Sequence, residues 1–397
     1  MDVLKKWHSR LENELTGNIV PFWQKYSIDR EFGGFLTCLE RDGLPYDTLK
    51  QMWMQWREVY MFAALYNSRF GKAEYLDTAL SGFDFLCRYG RKSDGGFVYM
   101  LDRQGGIIAE KADGAEVFSG SFAAVAAAEL YRALPEKRFA DEAFSALTSY
   151  RQAVVQNHTA YERLAHSMIE LNVLTIMQQV FPDRISRGEI DVCIEKIFRF
   201  YHPEMGIFFE NAPVGGGFDL ASQEGRFTNP GHALEGLSFI LEEFRLRENA
   251  DDPLVKKFLP LTLSAVKTSF AYGWDNESGG IWYFKDALGK PVAKNEFMLK
   301  AWWPQNEAAT AVLRAYEASG EVEFAEMFDR VENFCWENLR DPEFPEWFAY
   351  AAVDGRQFHT CKGSRFKGFF HIPRHLLNCI EILDRTVSKK GEINYGS

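Results

Sequence analysis

The feature that most limits what this chain can fold into is a short turn written repeatedly along it. E-S-G-G-I-W-Y-F at Glu277–Phe284, E-F-G-G-F-L at Glu31–Leu36 and S-D-G-G-F-V-Y at Ser93–Tyr99 share a Gly-aromatic core. Looser copies are P-E-M-G-I-F-F-E at Pro203–Glu210 and P-E-F-P-E-W-F-A-Y at Pro342–Tyr350. The spacings are 62 residues from Gly34 to Gly96, 74 from Gly206 to Gly280 and 66 from Gly280 to Glu346. The 110 residues from Gly96 to Gly206 hold two units, with one degraded copy expected near Asn157–Leu164. Six units of roughly 60–70 residues therefore fill the chain, the mark of a repeat architecture.

Helical periodicity follows the same ruler. The apolar spacing predicts helices near 2–26, 51–70, 73–89, 115–134, 138–156, 163–181, 186–202, 230–247, 252–273, 303–318, 322–339 and 373–385. Each Gly-aromatic element follows an odd-numbered helix and precedes an even one, and reads as the link within a helix pair. Glycine supplies the positive-φ turn and the aromatics a short hairpin edge. Six pairs closing on themselves give an all-α fold, an (α/α)6 barrel with short β-hairpin connectors at one end. No Pro/Gly/Ser-rich linker interrupts the pattern, so residues 1–397 are expected to form one domain.

Composition narrows the function classes. A net charge of −11 argues against a nucleic-acid partner. No run approaches the roughly 18 apolar residues of a membrane span, and the amphipathic start M-D-V-L-K-K-W-H lacks a signal-peptide core. Six scattered cysteines without a C-x-x-C pair read as free thiols in a reducing cytoplasm.

In such a barrel the inner helices run in parallel and their N-termini meet at one end. If the even helices are inner, polar residues should collect in their first turns. The second helix carries W-M-Q-W-R-E-V-Y, with Trp53, Trp56, Arg57 and Tyr60 on one face. The eighth opens T-N-P-G-H-A-L-E, with Asn229 as N-cap, Pro230 at N1, His232 in the first turn and Glu235 three residues on. The tenth opens W-W-P-Q-N-E, bringing Trp302, Trp303, Gln305 and Glu307; the twelfth is preceded by His371 in F-F-H-I-P-R-H. The fourth and sixth helices add Ser119 and Asn172. His8, His158, His202 and His359 read as ordinary local partners, while His166 and His375 are ambiguous.

Two imidazoles, one Arg and two carboxylates among tryptophans suit acid–base work on an uncharged polyol. A helix N-terminus lowers a histidine pKa and favours the neutral base. One neutral imidazole takes a proton from carbon beside a carbonyl, a second, protonated one returns a proton to the opposite face, and Arg57 holds the enediolate oxygen. Competing readings remain at this point. His232 and Glu235 offer an i, i+3 metal pair, Glu235 and Glu307 a carboxylate pair for inverting glycoside hydrolysis. Aldose–ketose isomerisation and a non-catalytic binding scaffold also stay open. Phosphate-binding glycine motifs are absent.

Six segments together resemble the N-acylglucosamine 2-epimerase family: G-G-F-L-T-C-L-E-R-D-G, Y-D-T-L-K-Q-M-W-M-Q-W-R, T-N-P-G-H-A-L-E, K-A-W-W-P-Q-N-E, D-P-E-F-P-E-W-F-A-Y and K-G-S-R-F-K-G-F-F-H-I-P-R. The resemblance implies an (α/α)6 barrel, often a homodimer, interconverting N-acetylglucosamine and N-acetylmannosamine. It further implies that His232 and His371 are the acid–base pair, that Arg57 and Glu307 are essential partners, and that no cofactor or metal is required. ATP activates some relatives from outside the chemistry. Two positions depart from the family pattern. Relatives acting on N-acyl sugars have His where this chain has Gln305, whereas Asn172 stands where disaccharide 2-epimerases place His.

Overall fold

The computed structural model describes residues 2–111, 116–157, 159–247, 249 and 251–393. His158 lies outside the described residues. The chain forms an (α/α)6 barrel. The inner ring consists of α3 (Met52–Asn67), α5 (Val117–Ala133), α7 (Leu164–Val180), α9 (Pro230–Arg247), α11 (Trp302–Ser319) and α13 (His371–Ile393). Each packs on the next, and α13 returns to α3 to close the ring. The outer ring is α1 (Asp2–Glu14) with α2 (Val20–Tyr26), then α4 (Ala73–Tyr89), α6 (Lys137–Gln156), α8 (Arg187–Phe198), α10 (Pro253–Gly273) and α12 (Val322–Asn338). The expected first helix is interrupted: a π-helical turn, Leu15–Ile19, joins α1 to α2.

Inner and outer helices differ as their surroundings require. Residues of α5 from Val117 to Leu130 are almost continuously buried, because an inner helix meets protein on every side. Helix α4 buries only a stripe through Tyr75, Ala79, Gly82, Phe83, Phe85 and Leu86.

The pairing is shifted from the sequence-based expectation. Inner helices pack on the outer helices that follow them, α3 on α4, α5 on α6, α7 on α8, α9 on α10 and α11 on α12, while α1 completes the set by packing on α13. The Gly-aromatic turns therefore carry the chain from one pair to the next, and short loops at the other end close each hairpin.

The turns themselves are stitched by a repeated device. Gly33, Gly34, Gly279 and Gly280 all have positive φ, and a Cβ on Gly280 would lie 2.6 Å from the Phe334 ring. Gln55 accepts from the Phe35 N–H at 2.8 Å and donates to its carbonyl at 2.9 Å. Gln305 does the same to Ile281 at 2.7 and 2.9 Å. Buried Lys50, Lys300 and Lys362 pin Asp29, Asp275 and Asp341 at the start of three turns. In the last of these Glu346 takes the glycine's place at φ 68°.

Strands leading into inner helices also pair with the following connector. Lys50–Gln51 binds Met100–Leu101, Phe227–Thr228 binds Lys285–Asp286, and Lys300–Ala301 binds Tyr350–Ala351. The degraded copy survives only as the strand Tyr161–Arg163, paired with Asn211–Pro213. All connectors thus lie at the inner helices' N-terminal end. Among the described residues no helix is long and apolar enough to cross a membrane, and all six cysteines are free thiols.

Candidate active site

All six inner helices contribute first or second turns to a cavity of about 240 Å³. Trp53, Arg57, His232, Glu235, Trp302, Trp303 and His371 line it, with Tyr283 from the turn before α11 and Phe366 from the segment before α13. Helix α9 begins as expected, with Asn229 Oδ1 accepting the His232 N–H at 3.3 Å. Helix α13 starts two residues earlier than its pattern predicts, so His371 is its first residue and not a residue ahead of it. The two imidazoles flank Trp303, whose ring centre is 5.1 Å from His232 and 5.7 Å from His371.

Each ring is oriented by a carboxylate on Nδ1. His371 contacts Glu307 at 2.8 Å and His232 contacts Glu210 at 2.9 Å. A carboxylate on Nδ1 places the proton there and leaves Nε2 as the nitrogen whose state can change. Their electrostatic settings then diverge. Burial, with the Arg57 and Arg374 guanidiniums, drives the His371 pKa well below its ordinary value. Burial also opposes charge on His232, but Glu210, backed by Glu235 and Glu307, outweighs it and holds that pKa above the ordinary value. A helix N-terminus by itself favours a neutral imidazole; at His232 the Glu210 carboxylate favours the protonated form that one of the two rings was expected to take.

Arg57 is 8% exposed and is packed by aromatic faces: its guanidinium lies 4.4 Å from Trp53, 4.2 Å from Phe122 and 4.4 Å from Phe370. No carboxylate pairs with it among the described residues, and its Nε has no hydrogen-bond partner. Burial and neighbouring Arg374 bring its pKa down to about 9, so it stays cationic at neutral pH.

Arg374 has the opposite role. It donates to Glu235 at 2.5 Å and Glu307 at 2.6 Å. Glu235, Glu307 and His371 approach within 4.8 Å of one another, a set able to hold a cation. The guanidinium of Arg374 already supplies positive charge to both carboxylates there. An inverting hydrolase needs its carboxylates roughly 6.5–9.5 Å apart; these two are closer and share one arginine.

Comparison with known proteins fits this geometry. Residues 34–374 match the family described as N-acylglucosamine 2-epimerase (GlcNAc 2-epimerase). The chain belongs to this family. It is 34% identical to the mouse N-acylglucosamine 2-epimerase over 96% of this chain and 93% of that protein. It is 24% identical to the cellobiose 2-epimerase of Dictyoglomus turgidum over 87% and 90%. The solved cellobiose 2-epimerase of Bacillus thermoamylovorans superposes with a TM-score of 0.79 at 19% identity, covering 95% of this chain and 99% of that one, a likeness of fold. The chain is a sugar epimerase, an isomerase.

Four residues read from the sequence as site residues lie elsewhere in this epimerase. Tyr60 and Asn172 face a separate polar cavity at the far mouth of the barrel, because each lies about two turns beyond the first cavity-lining residue of its helix, Trp53 and Ala165, and just past the last, Arg57 and Ile169. Ser119 is fully buried, with an unpartnered hydroxyl outside the cavity lining. Gln305 is occupied with the Ile281 backbone. Glu307 stands behind His371 and acts on it without lining the cavity. The ambiguous histidines also fall outside. His375 is buried against Thr310 and Glu332, and His166 borders a different groove.

Sequence reasoning missed Arg374 and Glu210, although each had a signal. Arg374 lies one turn beyond His371 in the same helix. Glu210 closes the P-E-M-G-I-F-F-E copy of the turn.

Proposed function

We propose that the epimerase interconverts N-acetylglucosamine and N-acetylmannosamine by proton removal and return at C2. The sugar first opens to its aldehyde, which acidifies the C2–H. Neutral His371 takes that proton through Nε2, the electron pair moves toward the C1 carbonyl oxygen, and an enolate forms. Arg57, a cation without an anionic partner, stabilises the developing oxyanion. Imidazolium His232 then delivers a proton to C2 from the other face, inverting it, and the reverse reaction exchanges the two roles. The chemistry needs neither metal nor cofactor. Glu307 and Glu210 are positioning residues, each fixing an imidazole by its Nδ1.

The observation that carries this reading is the opposite protonation bias of two imidazoles on one cavity, a pairing suited to acid–base assignment. The greater identity to an N-acylglucosamine 2-epimerase than to a cellobiose 2-epimerase supports the acyl amino sugar.

The test is incubation with N-acetylmannosamine in D₂O followed by NMR, with mannose and cellobiose as alternative substrates. Deuterium at C2 of both N-acetyl epimers is the expected result. A ketose product, or turnover confined to mannose or cellobiose, would overturn the reading.

A further inference from the structure

The cavity has two unlike sides. Helices α3, α9, α11 and α13 present Arg57, His232, Glu235 and His371, together with the tryptophans. Helices α5 and α7 present Phe118, Phe122, Ala165, Met168 and Ile169. Phe122, Ala165, Met168 and Ile169 are 2%, 7%, 1% and 6% exposed, and none of the five side chains carries a nitrogen or oxygen. The wall is backed from both sides. Phe122 packs edge-on to Phe370 at 5.2 Å, and Met168 fills the space over Gly236, where an added Cβ would meet it at 3.4 Å.

A plain hexose carries a hydroxyl on nearly every carbon, and a hydroxyl pressed on this wall would leave water without gaining a partner. An acyl methyl loses nothing there. We infer that the α5–α7 wall is the acyl pocket, which receives the alkyl end of the substrate's N-acyl group and sets the acyl length accepted, with Ala165 and Ile169, one helical turn apart, as the specificity-determining pair. This rests on the N-acyl reading above and extends it from reaction class to the residues that select the substituent.

The experiment measures kcat/KM for N-acetyl-, N-propanoyl- and N-butanoylmannosamine and for mannose, with the wild-type protein, Ile169→Ala and Ala165→Val. Thermal melts check that each variant is folded. Methylene-sized differences in apolar pockets change specificity by about 10–200-fold. Ile169→Ala should therefore move the butanoyl-to-acetyl ratio upward by about ten-fold or more. Ala165→Val should lower N-acetylmannosamine turnover by a similar factor relative to mannose.

Folded variants that scale every substrate equally would overturn the acyl pocket while leaving N-acetyl epimerisation intact. Wild-type protein that epimerises mannose but no N-acyl sugar would overturn the substrate reading itself.

Discussion

Replacing Glu210 by Gln tests the electrostatic asymmetry on which the chemistry depends. The amide retains an acceptor for the His232 Nδ1–H, at 2.9 Å in the native contact, but removes the charge. A hydrogen bond to a charged group is worth about 1.5–3 kcal/mol against about 0.5–1.5 for a neutral one. The difference, about 1–1.5 kcal/mol, corresponds to roughly one pKa unit at 1.36 kcal/mol per unit. The active free enzyme holds one proton across the imidazole pair, chiefly on His232, and loses activity when that proton leaves. Glu210→Gln should therefore move the alkaline limb of the kcat/KM profile about one unit toward acid in both directions of reaction. The acid limb, set by His371, should stay nearly in place.

Stability must follow the same sign. A raised folded pKa contributes stability that is complete below the unfolded value of 6.5 and vanishes as pH rises through the folded value. Glu210→Gln should accordingly cost most stability below pH 6.5, and the gap should close in alkali. The assay is an NMR pH series of both epimers, paired with direct titration of the His232 ring. An alkaline limb unmoved in the variant, with His232 titrating as before, would refute the reasoning.

Three further outcomes are expected. His371→Asn and His232→Asn should each lower turnover by at least about 10²-fold with unchanged circular dichroism, and retained activity in either would rule out a two-base path. Arg57→Met should cost about 10²–10³ in kcat yet leave the melting temperature equal or higher, since a buried cation with no carboxylate partner is itself costly and Met keeps apolar contact with the three rings; a marked fall in stability would contradict the absence of an anionic partner. Gln305→Ala should strip both backbone groups of Ile281 of their partner, at about 1–3 kcal/mol for each. Denaturant unfolding reads that loss, and KM should change little because Gln305 does not line the cavity.

Much of the barrel was legible in the chain because its determinants are local. Glycine at positive φ, the Asn229–Pro230 helix start and the 3.6-residue periodicity each act within a few residues. Their repetition determined the number of helices and the end of the ring where the turns gather. The resemblance likewise rested on contiguous segments; of the four site residues it implied, Arg57, His232 and His371 line one cavity and Glu307 stands behind His371. What the chain could not reveal was depth along a helix. Tyr60 shares a face with Trp53 and Arg57, yet lies near the far mouth, since a helical face extends through the whole barrel while a cavity occupies only its first turns. Gln305 looked like a ligand because it is polar beside two tryptophans. Only the folded turn shows that its amide is committed to the Ile281 backbone.

Charge at the two histidines belonged wholly to the tertiary structure. The sequence supplied both rings at helix starts and the expectation that one works neutral and the other protonated, but not which is which. Glu210 lies 22 residues from His232, and Arg374 reaches Glu235 across 139 residues. A protonation state is set by whichever charges share a small buried volume, so it emerges only when the ring closes and brings those groups within a few ångströms.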